Sequence, residues 1–227
     1  MSTVVLKIIA CIAMFIGHLP FAIPDLVIPC VFIGKIAFPI FAFLISEGYV
    51  HTRDWKKYLL RLLVLAIISQ YPAYKLFKTS GLYLNIFFTL SLGLISIACF
   101  DKIKNKYISI PLIIVLVILA ELLCCDYGAI GILMILFFYI FKDRKALMVI
   151  SESLLLVTFY LNNIMDTRFI NVVHIRYVLY QLLFSIISLI FILFYNGKKG
   201  KLKYDKYIFY LFYPVHLILL CILKSII

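Results

Sequence analysis

Gly48-Tyr49-Val50-His51-Thr52-Arg53-Asp54-Trp55-Lys56-Lys57-Tyr58-Leu59-Leu60-Arg61 gathers ionisable side chains between two runs that are otherwise almost wholly apolar. A short polar interruption with long apolar stretches on either side marks a chain that leaves a membrane and enters it again. Glu47 and Arg61, at or inside the ends of those runs, are costly there unless they meet each other, a polar cavity or a charged ligand.

The rest of the chain follows the same pattern. Of 227 residues, 66% are hydrophobic and 14% charged, and the mean hydropathy is +1.14; these values exclude a soluble globular domain. Crossing the hydrocarbon takes about 20 apolar residues, and nine stretches qualify: 3–24, 27–47, 57–74, 83–100, 107–125, 127–142, 146–162, 175–195 and 206–224. The expected fold is all-α, a polytopic transmembrane bundle of about nine helices. No connection is long enough for a separate soluble domain, so 1–227 reads as one unit. The first stretch begins with little positive charge and ends without a small-residue cleavage site, so it reads as a helix and not a removed signal.

A net charge of +12 raises the question of nucleic acid, but the placement of the basic residues answers it. Arg53, Lys56, Lys57, Lys102, Lys104, Lys106, Lys142, Arg144, Lys145, Lys198, Lys199, Lys201, Lys203 and Lys206 fall with Lys7 on one side of the alternating topology, whereas Lys75, Lys78, Arg168, Arg176 and Lys224 fall on the other. Positive charge stays in the cytoplasm. The N-terminus is therefore expected inside and the C-terminus outside, with anionic lipid as the partner of the lysines and no nucleic acid.

The cysteines show no metal-ligand spacing, so no metal is expected. Phosphate loops, a Gly-x-Ser-x-Gly elbow and a His-Glu-x-x-His pair are absent. What remains is polar residues at membrane depth, in layers. His18, Ser69, Gln70, Asn85, Thr89 and Asp126 lie towards the outer side; Glu47, His51, Arg53, Tyr58 and Arg61 lie at the inner ends; Lys35 lies between. Asn85 and Thr89 equally suit hydrogen bonds to neighbouring helices, and Arg53 and Lys57 suit interfacial anchors. Arg53, Lys57 and Arg61 follow a four-residue spacing that would put them on one helical face. His174 reads as a solvated outer-loop residue. Near the end of the chain Phe209, Phe212 and His216 share a helical face, with Pro214 bending the helix beside them.

These segments resemble the TraX family, named for a membrane protein that N-acetylates the pilin of conjugative plasmids and similar to transmembrane acyltransferases more widely. The resemblance rests on Lys7-Ile-Ile-Ala-Cys-Ile-Ala-Met-Phe-Ile-Gly-His18, Gly34-Lys-Ile-Ala-Phe-Pro39-Ile-Phe-Ala-Phe43, Glu47-Gly-Tyr-Val-His-Thr-Arg53, Lys57-Tyr-Leu-Leu-Arg61-Leu62, Ser69-Gln-Tyr-Pro72, Asn85-Ile-Phe-Phe-Thr-Leu-Ser-Leu-Gly93, Asp126-Tyr-Gly-Ala-Ile-Gly131 and Phe209-Tyr-Leu-Phe-Tyr-Pro-Val-His216, in order along the chain. It implies a bacterial cell-membrane enzyme that transfers acetyl from cytoplasmic acetyl-CoA to an amine or hydroxyl acceptor, such as a pilin or peptide N-terminus or a surface glycan. It implies catalytic roles for His18, Lys35, Asp126 and His216, donor contacts from Glu47, His51, Arg53, Lys57, Tyr58 and Arg61, and acceptor contacts from Ser69, Gln70, Asn85, Thr89, Tyr127 and Tyr213.

Two positions depart from the family pattern. The residue before His18 is usually aspartate and here is Gly17; Lys35 stands where arginine is common. An aspartate would orient the imidazole; its loss implies lower activity, a shifted acceptor, or compensation by Asp126. A noncatalytic assembly factor that keeps the fold is one alternative. A transporter or lipid-handling protein is another, although the internal repeat that a transporter predicts is not found.

Overall fold

The computed structural model describes residues 1–78, 81–165, 171–200 and 205–226. Ten helices follow one another among these residues: α1 Thr3–His18, α2 Val27–Gly34, α3 Ala37–His51, α4 Trp55–Phe77, α5 Ile86–Lys102, α6 Lys106–Leu122, α7 Gly128–Ile140, α8 Lys145–Met165, α9 Val172–Leu193 and α10 Asp205–Ile226. The expected all-helical transmembrane bundle is what forms. Six stretches are long and apolar enough to cross a membrane by length and composition: Thr3–Phe21, Pro29–His51, Trp55–Phe77, Lys145–Met165, Val172–Leu193 and Ile208–Ile226. The α5 and α6 helices have 17 residues each and α7 has 13, so nine spans is an approximate count. Arg168, Lys201 and Lys203 lie outside the described residues.

Local chemistry explains most boundaries. Asp54 caps α4 by accepting from the N–H groups of Lys56 (3.0 Å) and Lys57 (3.1 Å), and the Lys57 N–H foremost holds its carboxyl below the usual carboxylate range. Asn105 and Asn171 cap α6 and α9 in the same manner. The latter cap accepts from the His174 N–H, so His174 stands in the first turn of α9 and not in the solvated loop expected, with Nε2 buried. The second expected span is broken at Lys35–Ile36 into α2 and α3. Pro39 accounts for the break, since it cannot donate to the carbonyl four residues earlier, that of Lys35.

The α3 helix is central, packing against α1, α5, α7 and α9, while α10 rests mainly on α4 and more lightly on α1. Leu6, Ile40, Leu94, Met134, Phe138 and Leu217 are fully buried between these helices. Lipid tails are as apolar as these side chains, so close packing and polar ties, more than removal from water, hold the helices together. Exposed Ile67, Tyr107, Leu154 and Leu179 form part of the apolar exterior.

Near the end of α3 Glu47 accepts a hydrogen bond from Tyr195 Oη (2.7 Å) and pairs with His51 Nε2 (2.8 Å). Tyr195 also bonds Thr3, and the backbone N–H groups of Thr3 and Val4 donate to the carbonyls of Lys198 and Lys199. The start of α1 is thereby tied to α3 and to the connection between α9 and α10.

Candidate active site

Where α10 leans across from α4 to α1, a cavity of about 860 Å³ remains against α3 and α5. Lys7, Tyr58 and Tyr210, all in the early turns of their helices, line one end, and His18, Lys35 and Asp126 line the other. Lys7 and His18 are both on α1, eleven positions apart, so the cavity extends about 16 Å along that helix. Its wall is largely apolar and rich in aromatic rings, with a few polar groups at the His18 end.

His18 Nδ1 lies 2.9 Å from His216 Nε2, and His216 Nδ1 lies 2.9 Å from the carbonyl oxygen of Phe212. The two imidazoles are nearly parallel, at 12°, with centroids 5.2 Å apart. Phe77 meets the His18 ring edge to face at 5.1 Å, while Phe212 stacks on His216 at 5.1 Å. His18 lines the cavity; His216 stands behind it, 2% exposed.

Asp126 owes its place to two short backbone segments. Leu84 and Cys125 form a parallel bridge in which Leu84 N–H donates to Cys124 O (3.2 Å) and Asp126 N–H donates to Leu84 O (2.9 Å). Thr89 Oγ1 donates to the Asp126 carbonyl. Cys124 (φ 48°) and Tyr127 (φ 61°) flank this point in the left-handed region, which costs non-glycine residues about 1–2 kcal/mol each. Tyr127 is clamped face to face between Phe38 (3.8 Å) and Phe159 (5.7 Å). The Lys35 ammonium is near enough to act electrostatically on both His18 and Asp126.

The sixteen residues singled out from the sequence divide sharply. His18, Lys35, Asp126, Tyr58, Tyr127 and Tyr213 line the cavity, and His216 supports it from behind. Ser69, Gln70, Asn85 and Thr89 are not on its wall. Asn85 is fully buried, caps α5 by accepting from Phe87 N–H (3.0 Å), and donates to Ala66 O (2.7 Å) and Gln70 Oε1 (2.8 Å). Gln70 in turn donates to Tyr83 O. Gln70, Asn85 and Thr89 tie α4 to α5 and to the segment that carries Asp126, as the helix-tie reading of Asn85 and Thr89 has it, whereas Ser69 Oγ is buried without a hydrogen-bond partner.

The cluster expected at the inner ends is similarly divided. Glu47 and His51 belong to the tie with Tyr195. Lys57 pairs with Asp54 at 3.6 Å, and Arg53 lines a separate pocket of about 280 Å³ with Trp55, Asp101 and Lys142. Arg53 does not share a helical face with Lys57 and Arg61, because the Asp54 cap starts α4 after it. Arg61 lies with its guanidinium 5.8 Å from the Tyr58 ring centroid, and its Nε is buried without a hydrogen-bond partner.

Sequence reasoning passed over Glu121, Asn162 and Asn163, which line the cavity. Glu121 also accepts from the Ala129 N–H at 2.7 Å, at the start of α7. A carboxylate near the end of an apolar helix was the available signal. Gly17 is explained by contact: a Cβ built there would stand 2.6 Å from the Gly34 Cα. The position has no room for aspartate, and the partner of the His18 ring is His216, not Asp126.

Residues 2–224 match the family model described as TraX protein. The chain belongs to the TraX family. A relative of this TraX chain is the probable fimbrial assembly protein FimC, serogroup H1, of Dichelobacter nodosus, 31% identical over 162 residues. That match covers 62% of the TraX chain and 63% of the relative, so the chain spans somewhat less than two thirds of the relative's length. No solved structure matches it.

Proposed function

We propose that this TraX-family chain is a membrane-embedded acetyltransferase that carries acetyl from cytoplasmic acetyl-CoA to an amine or hydroxyl acceptor. The observation that carries the reading is the cavity itself, which begins beside Lys7 and Tyr58 and ends at a histidine, a lysine and an aspartate. The acceptor's amine or hydroxyl attacks the thioester carbon, and His18 takes the proton that the acceptor loses. A tetrahedral oxyanion forms, towards which Lys35 offers positive charge. Collapse re-forms the carbonyl and expels the thiolate, which recovers the proton from the imidazolium. Acetyl-CoA supplies the activated acyl group. Arg61, with Nε unsatisfied by protein, and the exposed Arg53 and Lys57 are the cations proposed for its phosphates. Asp126 and the rings of Tyr127 and Tyr213 would contact the acceptor. The proposed setting is a bacterial cell membrane with the N-terminus inside and the C-terminus outside.

A second reading is a noncatalytic assembly factor, favoured by the relative's description as a fimbrial assembly protein. Purified protein in lipid nanodiscs, given radiolabelled acetyl-CoA, separates the two. Saturable binding with slow thioester hydrolysis, the latter falling on the order of 10²–10⁴-fold in His18→Ala, is expected of the enzyme. An absence of binding at millimolar donor would overturn acetyl-CoA as the donor and favour the assembly factor.

A further inference from the structure

We infer that His216 is the positioning residue of His18, and that the Phe212 carbonyl fixes the direction of the hydrogen-bonded chain running from α10 to the cavity. A carbonyl oxygen can only accept. For a neutral pair of imidazoles, the 2.9 Å contact between His216 Nδ1 and Phe212 O therefore puts the proton of His216 on Nδ1. Its Nε2 is left as an acceptor. The 2.9 Å contact between His216 Nε2 and His18 Nδ1 then requires the proton of His18 on Nδ1. The consequence is that His18 presents an unprotonated Nε2, the nitrogen a general base needs.

The surroundings leave the rings few ways to turn. Phe15, Phe212 and Tyr213 have ring contacts with His216, and Phe21 and Phe77 have them with His18. The Tyr213 carbonyl also accepts from His216; the remaining contacts of these neighbours are aromatic faces and edges, so the hydrogen bonds select the tautomer. In a hydrolase triad a carboxylate does this work; here a second histidine, oriented by its own helix, does it. When Nε2 of His18 takes the acceptor's proton, the imidazolium still donates from Nδ1 to His216, and no bond in the chain has to break. The role rests on the acyltransferase reading, but the tautomer does not.

Nitrogen-15 NMR of histidine-labelled protein in nanodiscs, at about pH 8.5 where ordinary histidines are neutral, reads the tautomer without any activity. The His18 signals are assigned by their loss in His18→Gln. Wild type is expected to show His18 protonated on Nδ1. His216→Phe, checked for wild-type elution and helical content, is expected to shift His18 towards the Nε2-protonated form and to lower kcat on the order of 10²-fold or more with little change in KM. His216→Gln, whose amide oxygen can accept from His18 Nδ1, is expected to retain both properties. A wild-type His18 protonated on Nε2, or a tautomer indifferent to His216→Phe, overturns the inference. The expected tautomers with no transfer even by wild type would overturn the acyltransferase reading, and the positioning role with it.

Discussion

Gly17 and Gly34 touch backbone to backbone where α1 crosses α2, with no space for a Cβ on either. The residue before His18 is thus a packing position in this chain, and restoring the aspartate of the family pattern should harm it. Gly17→Asp is expected to destabilise the fold by at least about 1–3 kcal/mol through overpacking, with a lower Tm and no gain in acetyl transfer. Higher activity at an unchanged Tm would show instead that Gly17 is a lost catalytic group.

Asn85 is expected to act on stability and not on acceptor binding. Its replacement by alanine removes the α5 cap and leaves the Ala66 carbonyl without the Asn85 amide, at a cost of about 1–3 kcal/mol. Thermal unfolding should move down while the KM for acceptor, measured on folded protein well below the transition, stays as in wild type. A raised KM with unaltered stability would return Asn85 to the acceptor site.

Glu152 is fully buried in α8 and neither of its carboxyl oxygens has a hydrogen-bond partner. An apolar side chain of similar size avoids that unmet desolvation cost, so Glu152→Leu is expected to stabilise by about 1–3 kcal/mol. The check is the Tm in nanodiscs alongside transfer activity. A loss of transfer with a raised Tm would reveal a functional use for this acid.

Cys124 tests the orientation. It is the exposed member of the six cysteines, in the turn between α6 and α7, while Cys11, Cys30 and Cys125 are buried. With the N-terminus inside, a membrane-impermeant maleimide should label Cys124 in right-side-out vesicles and not in inside-out ones, and Cys124→Ser should abolish the signal. The reverse pattern would invert the topology.

The helices were legible because apolar length is written directly in the chain; the arrangement of the site was not. Pro39 was visible, yet its effect at Lys35 depends on which carbonyl loses its donor. The spacing of Arg53, Lys57 and Arg61 suggested one face only while a helix was assumed to pass through Asp54, whose side chain instead starts one. Asn85 at membrane depth suited a ligand contact and a helix tie equally, and only the positions of Ala66 and Gln70 separate them. His216 stood out on its helix face, but the residue it serves lies on another helix, beyond the reach of any local periodicity.

The bond between His18 and His216 spans 198 positions of sequence and joins α1 to α10, with eight helices made in between. During synthesis α1 is in the bilayer long before its partner emerges. The cavity's reactive end cannot be completed until α10 has inserted and leaned against α4, so an unfinished chain would hold the histidine without the neighbour that orients it. On the proposed acetyltransferase reading, competence would then arrive as one of the last events of assembly, and a half-built protein would spend no acyl donor in the membrane.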